Sequence, residues 1–232
     1  AKILDKYVDI VLVGDSMANV LYGHKNTHQI SLDSIIQHTK SVKMGTKKSL
    51  LVVDMPKGSY NNIKSAEKNA KHIINTTKCE AIKIESNKKN YKIIKLLVKK
   101  NIPVMGHIGF TPQFKKKFNI QGQTKSQAYN LLKEAKLIEK AGAFSIVLEC
   151  LSPESAKLIT NNLKIPTIGI GSSSYCDGQI LVTDDMLGIS GFYPKFVKKY
   201  TNLNSIIEKA IKKYTRDVKL KKFPKKKNFL NG

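Results

Sequence analysis

Four short, largely apolar runs in this chain each end in an acidic residue. The runs end at Asp15, Asp54, Glu85 and Glu149, and glycine, proline or polar residues flank them. Runs of this length and composition are typical of buried parallel strands. Because α/β proteins place their active sites at the carboxyl ends of parallel strands, the pattern predicts four carboxylates at one end of a parallel sheet.

These runs alternate with segments of helical periodicity. We predict strands at Val8–Gly14, Ser49–Asp54, Ala81–Glu85, Ile102–His107, Ala143–Glu149, Pro166–Ile170 and Gln179–Val182. We predict helices at Leu32–Met44 (with Ser31 as N-cap and Gly45 as the stop), Asn61–Thr77, Tyr91–Lys100, Gln127–Lys140, Pro153–Leu163, Lys195–Tyr200 and Asn204–Tyr214. Strand–helix repeats with acids on several strands indicate an α/β fold, a TIM (βα)8 barrel. Seven strands are one short of eight, so we expect the first strand to be missing from this chain and to precede Ala1.

The length of 232 residues suits a single barrel domain spanning 1–232. The basic stretch 215–232 is expected to be a frayed, disordered tail. No apolar stretch is long enough to span a membrane. Three widely spaced cysteines without a C-x-x-C pair indicate a reducing compartment, which we interpret as the cytoplasm. For Cys150, a buried structural thiol is favoured over a nucleophile.

The formal net charge of +24 would suggest a nucleic-acid-binding protein. However, Arg216 is the single arginine among 41 basic residues, and the lysines are spread along the whole chain. Arginine is the usual reader of phosphates and bases, because its planar guanidinium binds them bidentately. We therefore expect neither a nucleic acid nor a membrane as partner, and a basic binding protein stays as an alternative hypothesis.

The polar residues at the strand ends differ in chemistry, which suggests a different role for the acids and for the lysine. Asp15, Asp54 and Glu85 are hard oxygen donors without a histidine or cysteine cluster, which favours Mg²⁺, although a single acid there is more often a helix N-cap. Period-two alternation directs all four acids toward the barrel axis, together with Lys83. Lys83 could bind a carboxylate, stabilise an enolate, form a Schiff base or only pair with a neighbouring acid.

Two further side chains could take part. Glu149 is separated in sequence from the other three acids, and a role as general base is open to it. His107 could hydrogen-bond a substrate, or it could be a satisfied core histidine.

A colinear series of short motifs runs over nearly the whole chain. The motifs are V-L-V-G-D-S (11–16), G-H (23–24), Q-H-T (37–39), D-M-P (54–56), I-K-I-E (82–85), G-H-I-G-F-T-P-Q (106–113), Q-G (121–122), V-L-E-C (147–150), I-P-T-I-G-I-G (165–171) and D-G-Q-I-L-V (177–182). In these motifs the chain resembles the ketopantoate hydroxymethyltransferase family. Each motif alone is weak, but the ordered set is specific.

The resemblance implies a (βα)8 barrel that transfers a hydroxymethyl group from 5,10-methylenetetrahydrofolate, the cosubstrate, to 3-methyl-2-oxobutanoate. The product would be 2-dehydropantoate, on the way to pantothenate and coenzyme A. It further implies one Mg²⁺ per subunit and a homo-oligomer such as a decamer. By position, Asp15, Asp54 and Glu85 would be the metal ligands, and Asp15, Ser16, Asp54 and Lys83 would bind the substrate. Glu149 would be the proton acceptor, and His107 would support these side chains without contacting the substrate.

The chain departs from the family pattern at three places. The N-terminal segment with the first strand is absent, which predicts exposed strand edges and a tendency to aggregate. Ser86 and Asn87 stand where glycines are common, and the stretch from Gln113 to Gln121 is short. Two other hypotheses remain: a Mg²⁺-dependent keto-acid or enolate enzyme of the phosphoenolpyruvate mutase and isocitrate lyase type, and an inactive remnant.

Overall fold

The structure, a computed structural model that describes residues 1–86, 90–115, 118–191 and 193–229, contains seven strands and eight α-helices, which alternate from Leu50 to Ile170. The strands are β1 (Ile10–Val13), β2 (Leu50–Asp54), β3 (Ala81–Glu85), β4 (Val104–Gly109), β5 (Ser145–Glu149), β6 (Thr167–Ile170) and β7 (Gly178–Gln179). The helices are α1 (Met17–Val20), α2 (Leu32–Gly45), α3 (Ile63–Thr77), α4 (Tyr91–Lys99), α5 (Lys125–Lys140), α6 (Pro153–Thr160), α7 (Thr183–Leu187) and α8 (Leu203–Lys219). The first six predicted strands are confirmed, with ends that differ by a few residues. The last, predicted at Gln179–Val182, is the two-residue strand Gly178–Gln179.

All seven strands are parallel and lie in the sheet in chain order, from β1 to β7. This order is that of a TIM-type barrel, because doubly wound open sheets reverse their strand order at a switch point. The sheet has one strand fewer than the eight of a full barrel. The predicted fold class is therefore confirmed.

The sheet separates two apolar layers. One layer packs the strands against the helices and includes Val53, Ile82 and Ile84. The other lies on the opposite face of the sheet and joins side chains from successive strands. Its members are Val52, Ala81, Met105, Val147 and Ile168, with the partly buried Ile10, Leu12, Leu50, Phe144, Ile170 and Ile180 around them. Since side chains from β1 to β6 meet in this second cluster, it is the interior of the barrel.

Local capping defines where the helices begin. The Ser31 side chain accepts a hydrogen bond from the backbone of Ser34 and caps α2, as predicted. Helix α3 has a reciprocal capping box between Asn62 and Ser65 and begins at Ile63, two residues after the predicted start. Gly45, predicted as the stop of α2, is the last residue of that helix.

The chain divides into two compact units, residues 1–180 and 181–232. The prediction of one catalytic domain over 1–232 stays a prediction. Within the second unit, α8 reaches Lys219 and so includes the start of the predicted tail, and none of its residues is buried. No helix among the described residues is both long and apolar enough to cross a membrane.

One predicted helix of the second unit, Lys195–Tyr200, does not form. This segment makes a single turn, closed by the Val197 N–H on the Pro194 carbonyl, because so few residues cannot offset the cost of helix nucleation. The short helix α7 was not predicted. Its signals were the two acidic residues of its first turn and Gly188, which ends it in the left-handed conformation.

Candidate active site

The carboxyl ends of β2 and β3 bring a buried ion pair into the interior of the barrel. Lys83 Nζ lies 2.5 Å from Asp54 Oδ1, and both side chains are almost fully buried. Burial alone would lower the pKa of Lys83, but the carboxylates of Asp54, Glu85 and Asp15 outweigh it and raise that pKa. Lys83 is therefore a permanent cation and, among the residues that the structure describes, the one buried lysine or arginine.

Asp15 reaches the same place through a turn. Alternation places Asp15 on the same face of β1 as Val11 and Val13, but both valines pack in the outer layer, so the prediction that alternation directs Asp15 to the barrel axis was wrong. Strand β1 ends at Val13, and the turn that follows places the Asp15 backbone N–H 3.0 Å from Asp54 Oδ2. Ser16 follows, half-buried, at the start of α1.

Gln113 connects these acids and was not among the predicted site residues. Its side-chain Nε2 donates to Asp15 Oδ2 at 2.9 Å and to the Met55 carbonyl at 3.0 Å. Its backbone N–H donates to Glu85 Oε2 at 3.0 Å. The Tyr60 hydroxyl donates to its Oε1, which fixes the orientation of the amide. A glutamine directly after a strand in the G-F-T-P-Q motif was the available signal.

The cluster carries more negative charge than Lys83 neutralises. Burial, and then the charge of Asp54, raises the pKa of Asp15 to about 7. Burial likewise raises the pKa of Glu85 well above its usual value, with Asp15 and Asp54 adding to the effect. Such shifts show that the protein offers these carboxylates too little positive charge for all of them to ionise. A divalent cation would supply that charge.

The donor set fits Mg²⁺. No group of three His, Cys, Asp or Glu residues in the described part of the chain has the arrangement of a ready-made metal centre. Mg²⁺ needs no such group, because it is usually bound by one or two carboxylates while water and substrate oxygens complete its shell. Asp15 and Asp54 are adjacent and buried, and they match that requirement. Gln113 links Glu85 to Asp15 by donating a hydrogen bond to each of them.

Glu149 and His107 lie on the neighbouring strands β5 and β4. His107 Nε2 is 3.1 Å from Glu149 Oε2, and its Nδ1 is 3.7 Å from Glu85 Oε1, although neither contact has hydrogen-bond geometry. Burial lowers the pKa of His107 well below its usual value, so the imidazole is neutral. Burial, and then the charge of Asp54, raises the pKa of Glu149 to about 8. A carboxylate poised near neutral pH suits a general base.

Cys150, next to Glu149, lies in an environment that disfavours the thiolate. Its side chain is buried, and burial raises the pKa of the thiol to about 12. The thiolate, which is the reactive form, is therefore scarce at neutral pH. The preferred interpretation as a structural thiol agrees with this environment.

We expect Gly109→Ala to destabilise the protein by about 3 kcal/mol or more and to displace Glu149. Gly109 has φ +100°, and a Cβ added to it would lie 2.1 Å from the Glu149 carbonyl oxygen. That carbonyl also accepts the Phe110 N–H, so the backbone cannot shift freely. Urea unfolding measures the effect.

Gly58→Ala is the matched control for this substitution. Gly58 has φ +87° but nothing within 4 Å of an added Cβ, so only backbone strain of about 1 kcal/mol is expected there. Equal losses for the two variants would show that contact with the Glu149 backbone is unimportant.

Solved structures of two enzymes illustrate the fold that this chain shares with known proteins. A 2,3-dimethylmalate lyase, a member of the PEP mutase/isocitrate lyase superfamily, superposes with a TM-score of 0.59 at 12% identity and covers 98% of this chain and 78% of its own. A phosphonopyruvate hydrolase gives a TM-score of 0.60 at 11% identity, covering 100% and 83%. These likenesses show the fold alone, so the class that they define is a parallel α/β fold of the TIM-barrel type.

Sequence similarity then gives the family. The family model for ketopantoate hydroxymethyltransferase matches residues 1–226. The 3-methyl-2-oxobutanoate hydroxymethyltransferase of Pelagibacter ubique is 51% identical, over 98% of this chain and 89% of its own length. Its counterpart in Clostridioides difficile is 47% identical, over 98% and 85%. The chain belongs to the ketopantoate hydroxymethyltransferase family, which confirms the predicted class of one-carbon transferase.

Proposed function

We propose that this protein transfers a one-carbon unit from 5,10-methylenetetrahydrofolate to 3-methyl-2-oxobutanoate. With one water, the products are 2-dehydropantoate and tetrahydrofolate, which places the enzyme in pantothenate and coenzyme A biosynthesis. One observation carries the proposal: a carboxyl group with a pKa of about 8, Glu149, lies at the same barrel end as the buried Lys83–Asp54 pair. This arrangement combines a base with a cation for the enolate that the base creates.

Asp15, Asp54 and Glu85 would hold Mg²⁺, with Gln113 positioning two of them. Bound there, Mg²⁺ would act as a Lewis acid that polarises the keto acid and makes its C3 proton more acidic. The excess buried negative charge supports this assignment.

The protein's own groups perform the remaining tasks. Lys83, with Ser16, binds the keto acid and stabilises the negative charge that develops on its oxygen. Glu149 accepts the proton from C3, and the neutral His107 ring packs beside its carboxylate and limits its movement.

The enolate carbon then attacks the methylene carbon of the folate as one of its two C–N bonds breaks, and water displaces the second nitrogen, so that the transferred carbon carries a hydroxyl group. The proton taken up by Glu149 and one proton of the water pass to the two folate nitrogens. The almost complete burial of Lys83, Asp54 and Glu85 strengthens the electrostatic interactions among them.

The cell compartment and the assembly are also proposals. Three free, buried cysteines support a reducing environment, and we propose the cytoplasm. We propose a homo-oligomer, which the exposed apolar side chains of α8 support. These side chains are Ile206, Ile207, Ile211, Tyr214 and Val218.

Exchange of the C3 proton of 3-methyl-2-oxobutanoate tests the proposal. The protein is incubated with the keto acid in D₂O without folate, with Mg²⁺ or with a chelator, and exchange is followed by NMR. Mg²⁺-dependent exchange is expected, since Glu149 and the metal site suffice for this half-reaction. A folded sample that shows no exchange would contradict the proposal.

We expect Gln113→Met to weaken divalent-cation binding about 10- to 100-fold, because partners that orient metal ligands have effects of this size. The variant keeps the side-chain length but removes the donor to Asp15. Binding of Mn²⁺, measured by electron paramagnetic resonance, reports affinity independently of activity.

The control for this substitution is Gln123→Met, at an exposed position. Tyr60→Phe should give a smaller loss of affinity, because it removes only the hydroxyl that orients the Gln113 amide. Unchanged Mn²⁺ affinity in Gln113→Met would show that Gln113 does not position the ligands.

A further inference from the structure

A second concave surface lies beside the carboxylate cluster. It is a cavity of about 260 Å³, close to the lower end of the range of roughly 300–1,000 Å³ typical of ligand pockets. Its lining residues are Lys57, Gly58, Tyr60, Asn61, Asn90 and Phe114. They come from the segments that follow β2, β3 and β4, and thus from the barrel end that holds the acids.

Two buried lining residues hydrogen-bond to groups that adjoin the carboxylates. The Tyr60 hydroxyl donates to the Gln113 amide, which in turn donates to Asp15. The Asn90 side chain donates to the Glu85 carbonyl at 3.0 Å. A molecule in the cavity would therefore be separated from Glu85 by Asn90, and from Asp15 by Tyr60 and Gln113.

The walls of the cavity differ in chemistry. Phe114 and Tyr60 form an edge-to-face aromatic pair with ring centroids 6.4 Å apart. The amides of Asn61 and Asn90 add hydrogen-bonding groups. Such walls suit a flat heteroaromatic ring that has polar edges.

A cation, Lys57, lies at the exposed side of the cavity, and His28 holds it. His28 Nε2 donates to the Pro112 carbonyl at 2.9 Å, so its Nδ1, 3.2 Å from Lys57 Nζ, is the acceptor for the lysine. The ammonium group keeps further donors for an anion. The cavity thus pairs an aromatic wall with a positioned positive charge near solvent.

We propose that this cavity is the subsite for the one-carbon donor. The reduced pterin ring lies against Phe114, next to the acids, and the glutamate carboxylates of the folate reach Lys57. This inference rests on the proposed function and adds the residues that recognise the cosubstrate. It explains how one barrel end holds both reactants: the keto acid lies on the charged cluster, and the donor lies on the neighbouring aromatic and amide wall.

Steady-state kinetics of the full reaction test the role of Lys57. Lys57→Ala should raise the KM for 5,10-methylenetetrahydrofolate about tenfold and should raise the KM for the keto acid much less. Lys57→Arg should keep most of the affinity, because it keeps the charge. The control, Lys68→Ala, removes an exposed lysine from α3 and should change neither KM. An unchanged donor KM in Lys57→Ala would overturn the proposal.

Direct binding tests the aromatic wall. The chain has no tryptophan, so Phe114→Trp introduces a single fluorescent reporter at a side chain that is 42% exposed. Titration with 5-formyltetrahydrofolate, a stable reduced folate, should quench its emission, and Lys57→Ala in the same background should weaken the quenching. Emission that the folate does not change would contradict the proposal.

The two proposals fail in distinguishable ways. Absence of Mg²⁺-dependent C3 exchange in the unaltered protein would contradict the proposed function itself. Normal exchange and full turnover, combined with kinetics that do not respond to Lys57→Ala, would contradict only the location of the donor subsite.

Discussion

Glu149→Gln should slow C3 exchange of the keto acid about 10³-fold while leaving keto-acid binding nearly unchanged. The amide matches the carboxylate in shape but cannot accept the proton, and a positioned general base contributes about 10²- to 10⁴-fold. NMR-monitored exchange in D₂O with saturating Mg²⁺ gives the rate, and titration with the keto acid gives the affinity. Exchange at the unaltered rate would show that another group is the base.

The same substitution should not lower stability, which separates a chemical role from a structural one. Burial raises the pKa of Glu149 to about 8 from an ordinary value of 4.5, so the folded state binds this proton more tightly than the unfolded state. The contribution to stability is therefore greatest below pH 4.5 and is lost as the pH rises toward 8.

Glu149→Gln removes this dependence on pH. In chelator at pH 8, we expect the variant to exceed the unaltered protein in free energy of unfolding, on the order of 2 kcal/mol. Near pH 4.5 the two proteins should be similar. Urea unfolding at both pH values measures the difference, and a large loss of stability at pH 8 would mean that Glu149 has a structural role.

Lys83→Met should destabilise the protein by about 3–5 kcal/mol, because it leaves the buried Asp54 carboxylate without its cation. For a chain of this length, that corresponds to a melting temperature roughly 10 °C lower. The keto acid should also lose its positive partner, so C3 exchange should fall even where the variant is folded. Thermal unfolding in the presence of a chelator gives the melting temperature.

The control for Lys83→Met is Lys43→Met, which removes the same charge from a half-exposed pair with Glu80. Exposed pairs contribute about 0–1 kcal/mol, so little change is expected. Added Mg²⁺ should stabilise Lys83→Met, since the cation can replace part of the missing charge. Equal melting temperatures for the two variants would show that the buried pair contributes no more than the exposed one.

The positions of the strands and the kinds of residue in the candidate site were predictable, because both depend on local sequence. The alternation in Ala81–Glu85 placed Lys83 and Glu85 on the inner face, and β3 has that arrangement. The same argument failed for Asp15, because β1 ends two residues earlier and a turn replaces the alternation. Of the two residues noted as departures from the family, Ser86 donates to Glu134, and Asn87 lies outside the described residues.

By itself, the sequence determined the order of strands and helices, the family, and the acids and lysine that carry the chemistry. Only the tertiary structure decided how they act together. Gln113 joins Asp15 to Glu85 across 98 and 28 residues of chain, and the cavity is formed by segments that are also separated in sequence. The pKa values of Asp15 and Glu149 were likewise inaccessible, because they depend on burial and on charges that only folding brings within a few ångströms.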